Sequence, residues 1–119
     1  MKIPEQAVLL RIFVGEDDSL DGRPLYERIV LEARERGLAG ATVLRGPMGF
    51  GHSSRLHTSK ILRLSADLPI VVEIVDAAER IESFLETLDA FMPSGLVTVE
   101  NVRAYWYGKD RVSVVSDRR

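Results

Sequence analysis

Cysteine is absent from this 119-residue chain, and histidine occurs only twice, as His52 and His57. The missing thiol excludes disulfides, thiolate nucleophiles, iron–sulfur clusters and cysteine-ligated zinc in one step. No apolar run approaches the roughly 18 residues that span a bilayer as a helix. The opening segment MKIPEQAVLLRIFVGEDD carries an apolar run of strand length that meets acids directly. It is too short in apolar residues for a signal peptide, so a cytoplasmic protein is expected. Positive charge is not in excess either. Lys plus Arg total 16 against 18 Asp plus Glu, a net charge of −2, and the pI near 5.7 lacks the basic surplus of a general nucleic-acid binder.

What is present suits a globular domain. Hydrophobic residues at 45% and charged residues at 29% supply enough apolar surface to offset chain entropy. The length fits one core, expected over residues 1–108 and followed by a polar tail over 109–119.

Ala7 to Val14 reads as a strand, with Val8, Leu10, Ile12 and Val14 on one face and Leu9, Arg11 and Phe13 on the other. Both faces are largely apolar, which predicts a central strand covered on both sides. Gly15 to Gly22 reads as an acidic loop. Pro24 to Arg36 has helical spacing at Tyr26, Ile29, Val30 and Ala33, widened by Leu25, with Gly37 as its stop. Ala41 to about Gly49 predicts a second strand, Lys60 to Ala66 a returning strand, and Ile70 to Val75 a buried β-branched strand. Asp76 to Met92 predicts the second helix, capped by Asp76 with Glu79 at N3, its stripe formed by Ile81, Phe84, Leu85, Leu88 and Met92. Pro93-Ser94-Gly95 ends it. Leu96 to Tyr107 predicts the last strand, with a parity switch at Glu100-Asn101 that suggests a bulge.

The order β-α-β-β-α-β defines an α+β, ferredoxin-like fold: an antiparallel sheet with two helices on one face. The second face is then bare and partly apolar. A patch of this kind is uncommon on monomers, so a closed symmetric oligomer is expected.

The least ordinary segment is RGPMGFGHSSRLHTSK, Arg45 to Lys60, with three glycines, both histidines and basic residues but no acid. Gly46, Gly49 and Gly51 after a strand let backbone amides approach a phosphate, and Arg45 supplies the complementary charge. The pattern matches neither a Walker loop nor a dinucleotide fingerprint, and it equally suits a hairpin extension. His52 and His57 lie five apart without a neighbouring acid. They therefore define no metal site by spacing, although a metal-binding module built on them is an alternative. No nucleophilic triad pattern is present, so no catalytic residue and no enzyme activity are expected. A ferredoxin-like RNA-binding sheet is a further alternative through Phe50 or Tyr105, Trp106 and Tyr107. The RNP aromatic pattern is missing, however, and the acidic balance opposes it.

Gly40-Ala41-Thr42, Arg45-Gly46, Gly49-Phe50-Gly51, His57-Thr58 and Asp67-Leu68-Pro69 together resemble a family of PII-like proteins known as domain-of-unknown-function family 190. The likeness extends from about Leu9 to Tyr107. It implies a PII-like homotrimer that acts in signal transduction. A small effector, typically an adenine nucleotide, would sit in clefts between subunits, near Arg45, Gly46, Gly49, Phe50 and Gly51 of one chain and Ser94 and Gly95 of a neighbour. The loop 51–60, with His52, Arg55, His57 and Thr58, would meet a regulated partner, an ion transporter being one candidate. The sequence departs from the PII proteins in two places. Pro93 to Thr98 holds no lysine where those proteins bind phosphates, and no tyrosine for modification lies between Gly51 and Lys60.

Overall fold

The computed structural model describes residues 3–51, 57–58 and 67–108. In chain order the elements are β1 (Gln6–Gly15), β2 (Ser19–Leu20), β3 (Arg23–Pro24), α1 (Leu25–Glu35), β4 (Thr42–Arg45), β5 (Met48–Gly49), β6 (His57–Thr58), β7 (Pro69–Asp76), α2 (Ala78–Phe91) and β8 (Leu96–Arg103). Four of these strands form the main sheet in the order β4-β7-β1-β8. All its neighbours are antiparallel. This is the α+β, ferredoxin-like arrangement that the element order predicts.

Alternation along β1 decides the layering. Val8, Leu10, Ile12 and Val14 are buried, and Ile70, Val72 and Ile74 of β7 join them on the same face. The helices close this face with Leu25, Ile29 and Ala33 from α1 and Ile81, Phe84 and Leu88 from α2. Complete burial of a large aliphatic or aromatic side chain contributes about 1.5–3 kcal/mol, so this one layer supplies most of the fold's driving force. On the other face β1 places Leu9, Arg11 and Phe13 opposite Val75, Glu73 and Val71 of β7. All six are only half-buried. Leu44 at 49% and Leu96 at 60% exposure extend the row of Phe13 and Val71 to both sheet edges. Arg11 crosses the middle of this face: its Nε donates to Glu73 at 2.9 Å and its Nη1 to Glu100 at 2.8 Å. The Glu73 hydrogen bond raises the arginine further above its ordinary range, so this charge is fixed at any working pH.

The structure corrects several expectations. The acidic loop after β1 contains a hairpin, β2–β3, turned at Asp21-Gly22 with φ of 54° and 81°, as an Asp-Gly type I′ turn requires. The predicted strand Ala41–Gly49 divides in two. Gly46-Pro47 breaks it, because proline cannot donate to a ladder; β4 joins the main sheet and β5 pairs with β6. The predicted strand Lys60–Ala66 lies outside the described residues. In β8 no bulge occurs: the register runs unbroken from Gln6↔Arg103 to Phe13↔Leu96. Val97 and Val99 simply face the helices, while Val102 lies on the open side across from Ala7. The strand ends at Arg103 rather than Tyr107, after the Ala104 amide bonds the Glu5 carbonyl at 2.8 Å. Pro4 precedes Glu5 and offers no amide to carry the ladder on.

Asp76 is not the helix cap. Ala77 holds that position without a side-chain cap bond, and Asp76 ends β7, wholly buried. Its carboxylate accepts from the Ala39 amide at 3.0 Å and the Ala77 amide at 2.7 Å, and it pairs with Arg80 Nε at 3.1 Å. Arg80 also donates to the carbonyl of Gly37, beyond the end of α1. One carboxylate thus ties both helices to the sheet. Asp76→Ala strands these donors, so unfolding in urea should show a loss of about 3 kcal/mol relative to the parent chain.

Candidate functional site

The sheet register brings four chain segments to one end. Gly15 pairs with Pro69, Arg45 with Ile70 and Phe13 with Leu96. Here β1 and β4 finish while β7 and β8 begin. A cavity of about 760 Å³ opens at this end. Its apolar wall comes from Phe13, Val14, Pro69, Ile70 and Leu96. Its glycine-rich side is made by Gly49, Phe50 and Gly51, and it is completed by Ser94 and Gly95.

Local chemistry explains each wall. The Gly46 amide donates to the Pro69 carbonyl at 2.8 Å. A Cβ at Gly46 or Gly49 would lie 2.9 or 3.0 Å from the Pro69 ring. These two glycines therefore let the β4–β5 segment lie flat on Pro69, and the Gly46 amide is used within the protein rather than turned to a ligand. Among the described residues, none lies within 4 Å of where a Cβ at Gly51 would stand. Gly95 has a φ of 130°, and a Cβ there would stand 3.0 Å from the Phe13 carbonyl oxygen. The turn from α2 into β8 thus needs glycine on both conformational and steric grounds.

Two carboxylates line the acidic side of the cavity, Asp18 and Asp67. Asp18 accepts from the Gly15 amide at 2.9 Å and Asp67 from the Asp17 amide at 2.8 Å, which folds the loop after β1 back onto the start of β7. The Glu16 amide bonds the Leu68 carbonyl at 2.8 Å and clamps the same junction. The Arg45 guanidinium is exposed and donates through Nη2 to the Glu16 carboxylate.

Of the predicted effector residues, Gly49, Phe50, Gly51, Ser94 and Gly95 therefore share one cavity within a single chain, although the resemblance implied that Ser94 and Gly95 would come from a neighbour. Arg45 and Gly46 stand beside the cavity, not in its lining. Phe50 is 68% exposed. His52 and Arg55 lie outside the described residues, as do the side chains of His57 and Thr58, whose backbones form β6. Among the described residues no group of three or more His, Asp or Glu is placed to hold a metal. No helix among them is long and apolar enough to cross a membrane. Tyr105, the base-stacking candidate, accepts from Arg103 Nη2 at 2.6 Å and lies under its guanidinium, 5.6 Å from the ring centroid. Sequence reasoning missed Asp18, Asp67 and Glu16 as neighbours of the glycine segment. The Gly15-to-Gly22 run of acids was visible, but only the Gly15↔Pro69 register shows what it faces.

Comparison with solved structures shows the fold: the chain has the ferredoxin-type fold of PII-like proteins. It is similar to the PII-like protein CPII of Thiomonas intermedia K12, solved with ADP, AMP and bicarbonate, with a TM-score of 0.61 at 17% identity over 83% of this chain and 88% of that one. It is also similar to a putative PII-like signaling protein of Thermus thermophilus (TM-score 0.59, 22% identity, 87% and 93% covered). A third similar structure is the divalent ion tolerance protein CutA1 of Ehrlichia chaffeensis (TM-score 0.57, 10% identity, 95% and 94% covered). The family follows from sequence. The profile of DUF190, described as an uncharacterized ACR, matches residues 7–104. A UPF0166 protein of Aquifex aeolicus (strain VF5) is 43% identical over 98 residues, 82% of this chain and 92% of its own length. A UPF0166 protein of Methanocaldococcus jannaschii is 32% identical over 101 residues, 84% and 93% of the two chains. The chain belongs to the DUF190 family.

Gly95→Ala tests how the cavity is built. Its φ and the Phe13 carbonyl both oppose a methyl group, so the substitution should cost about 2 kcal/mol in denaturant titration. Substituting Gly51 with Ala, where a Cβ would meet none of the described residues, should leave stability within about 0.5 kcal/mol of the parent.

Proposed function

We propose that this chain is a non-enzymatic PII-like regulatory protein of the cytoplasm. An adenine nucleotide would be its effector, held in the cavity at the end of the sheet. The observation that carries this reading is the cavity itself. It joins a glycine-rich segment around Gly49–Gly51 to Ser94-Gly95, far away in the chain, with Phe13, Phe50 and Leu96 as apolar surface for a base. The adenine nucleotides bound to CPII support the same choice. Arg45, beside the cavity, would meet a phosphate extending from it, and Gly51 would let a ligand approach the start of the loop 51–60. A ligand-dependent contact through that loop, with His52, Arg55, His57 and Thr58, is the signal that a regulated protein such as an ion transporter would read. A switch of this kind needs only a ligand that favours one loop state over the other.

The half-buried sheet face fits a trimer. Leu9, Phe13, Leu44, Val71, Val75 and Leu96 give a patch that water solvates poorly. Within it Arg11 pairs with both Glu73 and Glu100, so each of these ions has a partner, and the surplus negative charge rests on Glu100, 57% exposed at the sheet edge. Residues 1–108 would form the assembling unit and 109–119 a tail outside it.

Two experiments test this. In thermal-shift screening with AMP, ADP, ATP and cyclic AMP, one or more of them should raise the melting temperature, because a ligand that binds only the native state stabilises it. Arg45→Ala should then weaken AMP binding by about tenfold in calorimetry while the assembly persists. Unchanged affinity removes Arg45 from the site. For the trimer, light scattering should give about three times the 13.3 kDa chain mass. Val71→Asp, which puts a charge on the apolar face, should shift the particle towards one chain.

A further inference from the structure

Among the described residues the cavity lining holds two carboxylates, Asp18 and Asp67, and no lysine or arginine. The cation beside it, Arg45, is already paired with Glu16. Glu16 is the better held of the two partners. Its carboxylate is 22% exposed against 56% for the arginine, its amide is clamped to the Leu68 carbonyl, and it directly follows Gly15 in the cavity wall. A ligand phosphate must therefore take Arg45 from a fixed internal competitor, and, among the described residues, each further phosphate enters a rim lined by Asp18 and Asp67.

We infer that Glu16 is a specificity-determining residue of this cavity: by occupying Arg45 it makes the site select adenine ligands of low negative charge, a nucleoside or its monophosphate, over polyphosphates. This rests on the reading of the cavity as a nucleotide site and adds the charge class that the site accepts. The effect is electrostatic, so it acts on phosphates and leaves the base contacts alone. It also acts through one named cation, so it disappears when that cation is removed.

Calorimetry with adenosine, AMP and ATP in EDTA tests this on the full-length chain, on Glu16→Gln, on Arg45→Ala and on the double variant. Gln keeps the length of the side chain and loses its charge, and melting curves check that each variant is folded. The parent should bind AMP more tightly than ATP, and added salt should narrow the gap by screening the acids. Glu16→Gln should strengthen AMP binding about fivefold, the scale of one partly exposed charge pair, and ATP binding by more, with adenosine unchanged. In the Arg45→Ala background Glu16→Gln should have little effect on AMP. Tighter binding of ATP than AMP by the parent overturns the inference and leaves the nucleotide reading standing. So does an equal response of adenosine and AMP to Glu16→Gln, or a full effect without Arg45. Absence of binding by all three ligands overturns the nucleotide reading and this inference with it.

Discussion

The pairing of β1 with two antiparallel neighbours is the constraint on which the rest depends. Its register with β7 sets Gly15 against Pro69, and its register with β8 sets Phe13 against Leu96. Those pairings bring the loop after β1, the start of β7 and the α2–β8 turn to one end of the sheet. A one-residue slip in either pairing would turn that strand's core residues outward. The buried alternation of Val8, Leu10, Ile12 and Val14 makes such a slip costly. The cavity is thus anchored on the core, and its loops are clamped to that anchor. Its glycines have their particular partners, Pro69 and the Phe13 carbonyl, because the register is fixed.

The same strand explains why the open face asks for a partner. A strand that is apolar on both sides needs two covers, and the helices supply one. On the uncovered side Arg11 sits between Glu73 and Glu100 instead of another aliphatic residue. A paired charge at the centre of an apolar face would restrict how a partner could dock there. An unpaired one would oppose docking through its desolvation cost. The face therefore combines a hydrophobic drive to associate with a polar centre that limits how association can occur.

Much of the fold was legible because its signals are local. Period-2 alternation in β1 and β7 and the helical stripe of α2 located those elements to within about two residues. The failures share a physical cause. Asp76 reads as a cap from its position before an apolar stripe, but it is buried because Ala39, from another part of the chain, needs an acceptor there. The parity change in β8 reads as a bulge because a sequence does not say which side of an edge strand is covered. Asp21-Gly22 carried a hairpin signal that the surrounding acids obscured. For the site, the glycine segment and Ser94-Gly95 were legible as unusual. Their union in one chain, and the acids opposite them, depended on pairing partners distant in sequence.

The glycines at 46 and 49 show how a fold requirement and a site requirement can coincide. Their spacing invites a phosphate-loop reading, yet both pack on Pro69, and the Gly46 amide is spent on the Pro69 carbonyl. A phosphate cradle needs amides that point outward, and at Gly46 that condition fails. On the proposed reading, recognition of charge would fall to Arg45, whose partner Glu16 lies on the loop that also builds the cavity wall. The backbone that shapes the pocket would then also carry the acid that limits which anions use it. A change in the conformation of that loop would alter the volume of the cavity and its charge preference together.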